Sequence, residues 1–354
     1  MERQLASIKR VIKLEPITGA DFIERAFIDG WQCIVKKGEF SIGDLGLFLE
    51  IDSVPPQQSA FEWLWMKKDS TDNTRPANFR IRTMKIRGVL SQGVLIPIDT
   101  LAEAGLLSYY WFDIGFEEGD DLTEVLGITK YEPPTFTNSR GPSNFDCRGT
   151  FPSMVPKTDE IRIQSVPAVL EELRGHPYVI TEKCDGTSAT FLIDPRDNEF
   201  HACSRNYSIK DGDNIYWNIA KKYGIEEKLR QFPQYVIQGE IVGPGIQKNP
   251  MGLASIELRV FNVFDLSEGN YVPHWDAERI SLTLNIPVVS WIDWNNEFNY
   301  TQEELLFKAE GKYEGTKNER EGIVVRSVDN MYSEALKGRL SFKVISNKYL
   351  LKED

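Results

Sequence analysis

The sequence predicts an α+β protein made of two modules, the first rich in β-strands and the second mixing strands with helices. Three observations predict this class. The chain has 354 residues, which is enough for two domains that each bury a core. Short β-branched and aromatic runs, separated by Gly, Pro and Asp, crowd the first third of the chain. Later strand-like runs and helical patterns do not alternate strictly, which favours antiparallel sheets flanked by helices.

Residues 1–133 are predicted to form the first module, a small OB-like β-barrel. Several short strands within about 100 residues favour a closed barrel over a helical bundle. The turn-rich segment 53–78 is predicted to be a long solvated loop between two strands. The strand candidates are WQCIVKKGEF (31–40), LGLFLEID (45–52), FRIRTMKIRG (79–88) and QGVLIPI (92–98).

Residues 134–157 are predicted to be a linker, and residues 158–354 are predicted to form the second module. The segment 130–157 contains five prolines and shows no hydrophobic period, which is typical of a linker. Periodicity in the second module predicts two helices, at 167–176 and 214–232. Its strand candidates are 178–183, 188–194, 234–242, 258–266, 321–327 and 340–346.

The composition excludes several classes of protein. There is no apolar run of membrane-spanning length, and MERQLASIKR lacks the apolar core of a signal peptide, so a cytoplasmic protein without a membrane partner is expected. The four cysteines form no CxxC pair and the three histidines are scattered, which disfavours a disulfide framework and a zinc site. The net charge of −12 argues against a nonspecific nucleic-acid coat protein. It does not exclude a nucleic-acid enzyme, because nucleic-acid binding by an enzyme depends on the local electrostatic field at the binding groove.

The segment Lys183-Cys184-Asp185-Gly186 ends the strand candidate 178–183 and is the most informative part of the chain. A lysine is a poor choice for the end of a buried strand, because lysine is rarely buried unless it is paired or functional. A nearby cation can lower the pKa of such a lysine and make its amine a nucleophile. The tetrapeptide alone is a weak signal, and a surface charge is the simpler interpretation.

Further charged and aromatic residues follow in a definite order. Each alone is most simply a surface charge or a core aromatic residue. Together, carboxylates from separate strands can converge on a hard divalent cation, directly or through its waters. Two basic groups can balance phosphate charge, and an aromatic ring offers a face to a purine. The carboxylates are Asp185, Glu240 and Glu321, the basic groups are Arg205 and Lys343, and the ring is Phe264.

Six motifs of the second module resemble those of the covalent nucleotidyltransferases, which are ATP-dependent ligases and mRNA capping enzymes. In order they are KCDG, SRN, QGEIVGPGIQKN, VFNVFDL, EGIVVRS and LSFKVIS. QGEIVGPGIQKN is similar to the phage RNA ligase 2 type in particular. The first module, with LEPITGADFIERA, GWQCIVKKGEFSIGD and FRIRTMKIRGVLSQGVLIP, resembles the OB-fold module of an RNA ligase clade typified by the Deinococcus radiodurans enzyme. The resemblance covers nearly the whole chain, and implies an OB-fold module before an ATP-grasp-like ligase adenylation domain.

The resemblance implies that Lys183 attacks the α-phosphorus of ATP, which gives a lysyl-adenylate and releases pyrophosphate. It implies a catalytic Mg²⁺ or Mn²⁺ surrounded, through its waters, by three carboxylates. These are Asp185, Glu240 and Glu321.

The resemblance also implies a set of residues that bind ATP or AMP. Phe264 would stack on the adenine and Glu182 would face it. Lys343 would grip the α-phosphate, Arg205 the ribose or the RNA 5′-phosphate, and Arg162 would orient the triphosphate. The complete set is Arg162, Glu182, Lys183, Gly186, Arg205, Glu240, Phe264, Glu321 and Lys343.

The last motif departs from the common ligase pattern, which is Lys-x-Lys. Here Lys343 is followed by Val344 and Ile345, so the second lysine is missing. Another cation, such as Lys348 or Arg162, would then serve the leaving phosphates.

The activity implied by the resemblance is that of an ATP-dependent RNA ligase acting in RNA repair. It would seal 3′-OH and 5′-phosphate ends through a lysyl-adenylate and an adenylylated 5′ end. The expected partner is a nicked duplex, including an RNA/DNA hybrid, with RNA on the 3′-OH side, and a monomer is expected. A DNA ligase or capping-type nucleotidyltransferase is one alternative, but both place an OB domain after the catalytic domain. A nucleic-acid-binding protein with a dead catalytic domain is the other, and the retained motif residues disfavour it.

Arg80, Arg82, Lys85 and Arg87 form the densest basic run of the chain. One interpretation is that they bind the sugar-phosphate backbone near the break. The other, equally supported, is a solvated strand edge that charge protects from aggregation. Acidic side chains outnumber basic ones in residues 1–133, so the module is not basic as a whole.

Overall fold

The computed structural model describes residues 3–66, 72–103, 115–131 and 146–351. The chain divides into two compact units. The N-terminal unit consists of residues 1–134 and 350–354, and the large unit of residues 135–349.

The described part of the N-terminal unit is built from short strands. A 3₁₀ helix spans Ser59–Leu64, and helix α1 spans Ile98–Glu103. The strands are β1 (Ala6–Arg10), β2 (Lys13–Pro16), β3 (Ile23–Ile28), β4 (Trp31–Lys36), β5 (Leu45–Leu49), β6 (Ser53–Val54), β7 (Met84–Ile86), β8 (Val89–Ser91), β9 (Val94–Pro97) and β10 (Thr129–Lys130).

These strands pair as small antiparallel sheets. One sheet has the order β1–β5–β9 and another the order β2–β3–β4, while β7 pairs with β8 and β6 with β10. The described residues therefore do not form the closed barrel as one continuous sheet. The change of sheet occurs at Val11 and Ile12, because the Val11 amide donates to the carbonyl of Asp44 and the Ile12 amide to that of Phe27. Consecutive residues thus bond to different sheets.

Strand β5 joins the two cores of this unit. Leu47 and Leu49 pack with Ile8 in one buried cluster, whereas Phe48 packs with Trp31 in another. Side chains alternate between the two faces of a strand, so one run of apolar residues serves both cores.

Two parts of this unit differ from the prediction. Within 79–88, the strand is limited to Met84–Ile86, which turns back into β8 through residues in the left-handed region, Arg87 (φ 52°) and Gly88 (φ 80°). The segment 53–78 is not wholly a solvated loop, because it contains β6 and the 3₁₀ helix, whose Phe61 is fully buried. Its residues 67–71 lie outside the described residues.

The large unit mixes strands and helices. Its helices are α2 (Val169–Leu173), α3 (Ile215–Tyr223), α4 (Ile225–Gln231), α5 (His274–Thr283), α6 (Gln302–Ala309) and α7 (Asn347–Leu350), with a 3₁₀ helix at Ile163–Ser165. Its strands are β11 (Cys147–Thr150), β12 (Ile161–Arg162), β13 (Tyr178–Lys183), β14 (Thr187–Asp194), β15 (Glu199–Cys203), β16 (Tyr207–Ile209), β17 (Tyr235–Val242), β18 (Glu257–Asp265), β19 (Asn270–Tyr271), β20 (Trp291–Asn295), β21 (Gly322–Ser327), β22 (Tyr332–Ser333), β23 (Gly338–Arg339) and β24 (Ser341–Ile345).

Two sheets dominate the large unit, and they confirm the predicted α+β class. A seven-stranded sheet has the order β11–β16–β15–β14–β17–β18–β19, and a five-stranded sheet has the order β12–β24–β21–β13–β20. Their strand pairs are antiparallel, as predicted, except that β12 runs parallel to β24. A further pair, β22 with β23, is a short antiparallel ladder.

The helix predicted at 214–232 is two helices. Gly224, at φ 57°, ends α3 and begins α4, since a left-handed residue cannot continue an α-helix. The side chain of Asn214 caps α3 by accepting a hydrogen bond from the amide of Trp217. No helix among the described residues is long and apolar enough to cross a membrane.

Each large sheet buries one face. Tyr216 and Leu229, from helices α3 and α4, pack with Phe191 of the seven-stranded sheet. Ile180 and Phe342 of the five-stranded sheet pack with residues of α2 and α6. Because side chains alternate along a strand, intervening residues of these strands point to the opposite faces, where the candidate site lies.

The predicted linker is described only in part. Residues 134–145 lie outside the described residues. Residues 147–150 form β11, which pairs with β16 at the edge of the seven-stranded sheet. The domain limits at 133 and 158 stay a prediction.

Candidate active site

Lys183 is the last residue of β13, a strand that is otherwise buried. Its ammonium donates a hydrogen bond to the Glu321 carboxylate at 2.7 Å, and both side chains are less than one-quarter exposed. Burial lowers the pKa of Lys183, but the charges of Glu321 and Glu240 more than offset this and the net shift is upward. The neighbouring protein groups therefore hold the amine protonated, which is opposite to the lowered pKa expected from the sequence.

Lys183 faces a cavity of about 400 Å³. Other residues of the predicted set that line it are Glu182, Gly186, Arg205, Glu240, Glu321 and Lys343. Asp185, Arg162 and Phe264 are not among the described residues that line it. The cavity is also lined by residues outside the predicted set, among them Thr158, Asp159, Thr187, Ser188, Gln247, Phe261, Val289 and Arg326.

Two of the three carboxylates predicted to surround a metal ion, Glu240 and Glu321, line the cavity, and carboxylate oxygens suit a hard divalent cation. Glu240 lies on β17 and its pKa is raised to about 8, mainly by burial; Lys183 opposes this shift, while Glu321 and Asp185 add to it. A cation among these oxygens would relieve the repulsion between them, and carboxylate oxygen is the ligand that magnesium prefers.

Asp185 follows the nucleophile candidate and is held by two tyrosines. Its carboxylate accepts a hydrogen bond from the Tyr349 hydroxyl at 2.8 Å, and its amide donates to the Tyr313 hydroxyl at 3.1 Å. These contacts fix the position of Asp185, whose charge acts on Glu240.

Gly186 allows β17 to approach the nucleophile loop. A Cβ atom at Gly186 would lie 2.3 Å from the carbonyl oxygen of Ile241 and 2.8 Å from Cγ of Glu240. Any larger residue would displace the strand that carries Glu240.

Lys343 and Arg162 lie opposite each other on the parallel strands β24 and β12. The pKa of Lys343 is lowered to about 8, first by burial and then by the positive charges of Lys183 and Arg162. This concentration of positive charge suits phosphate groups. Lys348, the other candidate for the missing lysine, forms an ion pair with Glu310 at 2.7 Å and is not among the described residues lining the cavity.

Arg205 and Glu182 lie at different depths of the cavity. Arg205 is more than half exposed and forms an ion pair with Asp159 at 2.6 Å. Glu182 is buried, and burial raises the pKa of its carboxyl, although Arg320 and Arg259 oppose the shift.

Phe261, not Phe264, lines the cavity. Phe264 is 4% exposed and packs with Leu192 and Val236 in a small core. Gln238 pairs with Asn262 while Gly239 pairs with Val260, which leaves Phe261 as the extra residue of a β-bulge. Bulges redirect side chains beside functional sites. This placement disagrees with the stacking role that the resemblance implies for Phe264.

The basic run of the N-terminal unit divides into two parts. Arg80 and Arg82 line a groove of about 800 Å³ together with Trp63 and Phe79. Lys85 instead donates a hydrogen bond to the carbonyl of Leu351 at 3.1 Å. Arg87 lies in the β7–β8 turn, and neither it nor Lys85 is among the described residues that line the groove.

Within the groove, Arg80 is already engaged. It forms an ion pair with Asp52 at 3.3 Å, and its guanidinium lies 4.4 Å from the centre of the Tyr131 ring. Trp63 is 55% exposed and offers an aromatic face to a ligand.

Comparisons with protein families identify both parts of the chain. An OB-fold domain model matches residues 5–98, and an RNA ligase model matches residues 176–345. A comparison with curated protein sequences finds no match. The order of the two matches, an OB fold followed by a ligase domain, defines the class of protein.

Solved structures of Naegleria gruberi RNA ligase are similar over the full chain. A variant with AMP and Mn is 33% identical, with 99% of each chain covered and a TM-score of 0.78. The enzyme with PPi is 33% identical over the same coverage, with a TM-score of 0.77. Another variant, with ATP and Mn, is 34% identical and covers 99% of this chain and 98% of that chain, with a TM-score of 0.75. The chain belongs to the RNA ligase family.

Proposed function

We propose that this RNA ligase is ATP-dependent and seals RNA 3′-OH and 5′-phosphate ends through a lysyl-adenylate on Lys183. The observation that carries the proposal is the position of Lys183: it ends a buried strand and lies 2.7 Å from Glu321 in a cavity of about 400 Å³. That cavity also contains Glu240, Lys343 and an aromatic ring, which are groups suited to phosphate, metal and purine. The Naegleria gruberi structures with ATP, AMP and PPi support the same chemistry.

In the first step the Lys183 ammonium passes a proton to the Glu321 carboxylate, to which it donates a hydrogen bond, and the neutral amine attacks the α-phosphorus of ATP. A phosphorus–nitrogen bond forms, the bond to the bridging oxygen of the β-phosphate breaks, and pyrophosphate leaves. Glu321 accepts a hydrogen bond from the amine and so directs it. Lys343, with Arg162 beside it, offsets phosphate charge, and Phe261 stacks on the adenine in place of Phe264.

A divalent cation, Mg²⁺ or Mn²⁺, would be held by Glu240 and Glu321, which line the cavity, with Asp185 adding negative charge near Glu240. When bound, it supplies positive charge that offsets the negative charge of the phosphates. The Naegleria gruberi structures with Mn support a metal-dependent enzyme.

In the following steps AMP passes to the RNA 5′-phosphate, and the 3′-OH then displaces AMP. The first transfer turns a poor leaving group into a good one. The nicked duplex, the preference for RNA on the 3′-OH side, the monomeric state and the cytoplasmic location stay predictions from the sequence.

The groove of the N-terminal unit is proposed to hold the RNA backbone. Arg80 and Arg82 supply positive charge, and Trp63 and Phe79 supply surfaces on which a base can stack. Lys85 and Arg87 are left out of this proposal because they do not lie among the described groove residues.

The decisive experiment is incubation with ATP or GTP labelled on the α-phosphate, followed by a denaturing gel. We expect covalent label from ATP and none from GTP. Label from GTP would instead identify a capping-type enzyme, and no label from either would identify a binding protein without catalysis.

Lys183→Ala tests the nucleophile in the same assay. It should remove the label yet still join RNA whose 5′ end is already adenylylated, because no amine attack is needed there. Lys348→Ala is the matched control, since this lysine forms an ion pair with Glu310, and it should label normally. Label retained by Lys183→Ala would refute the assignment.

A further inference from the structure

Tyr313 is a buried residue in the loop between α6 and β21. Its side chain is 1% exposed. Its own carbonyl accepts hydrogen bonds from the amide and the hydroxyl of Thr316, at 3.1 and 3.0 Å, and its amide donates to the carbonyl of Asn318 at 3.1 Å. The loop therefore holds this tyrosine in a defined position.

The Tyr313 hydroxyl makes three hydrogen bonds to the backbone of the candidate site. It donates to the carbonyl oxygen of Lys183 at 3.0 Å, and it accepts from the amides of Asp185 at 3.1 Å and Glu321 at 3.2 Å. A phenol hydroxyl has one donor and two acceptor positions, so all three are used. Burial raises the pKa of Tyr313, which keeps the donating proton in place.

These bonds lie where the strand ladder stops. Lys183 and Gly322 are the last pair between β13 and β21, and beyond them the chain of Asp185 turns away. The amides of Asp185 and Glu321 therefore lie outside the pairing between β13 and β21. The Tyr313 hydroxyl connects both amides to the carbonyl of Lys183. One side chain therefore ties the backbone of three residues that are proposed to act together.

We propose that Tyr313 is a positioning residue for adenylylation, which holds Lys183 and Glu321 in the register required for attack on ATP. This inference rests on the proposed function. Since its hydrogen-bonding capacity is exhausted within the protein, Tyr313 acts through the backbone of the site and not on ATP. A misplacement of about 1 Å in a reacting group can cost roughly a hundredfold in rate.

Tyr313→Phe removes the hydroxyl and keeps the ring. We expect the single-turnover rate of lysyl-adenylate formation to fall about ten- to a hundredfold, while the ATP concentration giving half-maximal rate changes less than about twofold. The rate of adenylylation falls because the nucleophile is misplaced. The half-saturating ATP concentration changes little because the groups that line the cavity are retained.

The matched control is Tyr178→Phe. Tyr178 is a buried tyrosine at the other end of β13, whose hydroxyl donates to Asp293 at 3.2 Å. Tyr178→Phe also loses one tyrosine hydroxyl, and Tyr178 is not among the described residues that line the cavity, so it measures the effect of a lost buried hydroxyl away from the cavity. We expect its adenylylation rate to match that of the wild type, and both variants are to be compared by thermal unfolding.

The outcomes separate the two hypotheses. If the wild type forms no adenylate, the proposed function fails and this inference fails with it. If the wild type is active and Tyr313→Phe reacts at the wild-type rate, or if the two phenylalanine variants slow equally, the positioning role alone is refuted.

If Tyr313→Phe does not fold, Thr316→Val provides the test. It removes the hydroxyl that donates to the Tyr313 carbonyl and leaves the Tyr313 side chain intact. The expected result is a smaller fall in the adenylylation rate, of about threefold or more, with the half-saturating ATP concentration unchanged. An unchanged rate would then contradict the proposal.

Discussion

Phe261 and Phe264 lie three residues apart on β18, yet one lines the cavity and the other is part of a core. Phe261→Ala should raise the ATP concentration for half-maximal adenylylation about tenfold or more, because base–aromatic stacking contributes roughly 1–3 kcal/mol. Phe264→Ala should instead lower the free energy of unfolding by about 3–5 kcal/mol, because it leaves a cavity in the core.

Adenylylation kinetics and urea unfolding of both variants check this prediction. Each variant is the control for the other, because one should change the use of ATP and the other the stability of the protein. Should Phe264→Ala weaken ATP use in a stable protein while Phe261→Ala does not, the stacking role would return to Phe264.

Single residues of the site differ in how far the sequence could predict them. Lys183, Glu240 and Lys343 stand in motifs, and the structure brings them to one cavity. Phe261 was missed because strict alternation along β18 gives no sign of a bulge. The sequence contained one hint, since Gly239 interrupts the facing strand and glycine within a strand often marks a bulge.

At the scale of elements, strands were easier to predict than the ends of helices. The prediction at 178–183 coincides with β13, because its aromatic and β-branched residues are bounded by Pro177 on one side and by Asp185 and Gly186 on the other. The helix at 214–232 was wrong as a single element, since Gly224 adopts a left-handed conformation that periodicity does not reveal. The strand at 79–88 was too long because only residues 84–86 find a partner among the described strands.

The groove beside β7 gives a prediction at this scale. Arg82→Glu should weaken RNA binding, because a phosphate contact is replaced by repulsion. The plot of log affinity against log salt concentration should also become less steep, by about one or two in slope. Arg87→Glu makes the same charge change in the β7–β8 turn and should have a much smaller effect.

Titration of RNA binding at several salt concentrations checks this prediction. If Arg82→Glu and Arg87→Glu lost the same amount of RNA affinity, net charge and not the groove would govern RNA binding.

At the scale of the whole molecule, the two units have separate cores. Buried clusters around Leu47 and Phe48 belong to the N-terminal unit, whereas those around Phe191 and Phe342 belong to the large unit. The chain length and the proline-rich segment predict two modules, and their limits at 133 and 158 stay a prediction. The composition of residues 146–157 did not reveal β11.

A fragment of residues 135–354 should therefore form the lysyl-adenylate yet seal nicked RNA duplexes poorly. Every residue of the proposed ATP site lies in the large unit, whereas sealing also requires that two RNA ends be held in register. Labelling with ATP and sealing of a nicked duplex are measured on the same preparation. Full sealing by the fragment would remove the role proposed for the N-terminal groove.

The order of the five-stranded sheet has a consequence for how the protein is made. β24 lies between β12 and β21, although it follows both in the chain. Chains emerge from the ribosome with the N-terminus first, so residues 5–98, which the OB-fold model matches, are synthesised well before β24. The sheet that carries Lys183 acquires an inner strand, and with it Lys343, only once residues 341–345 have been synthesised. We therefore expect a chain whose synthesis stops before residue 341 to lack Lys343 and to form no lysyl-adenylate.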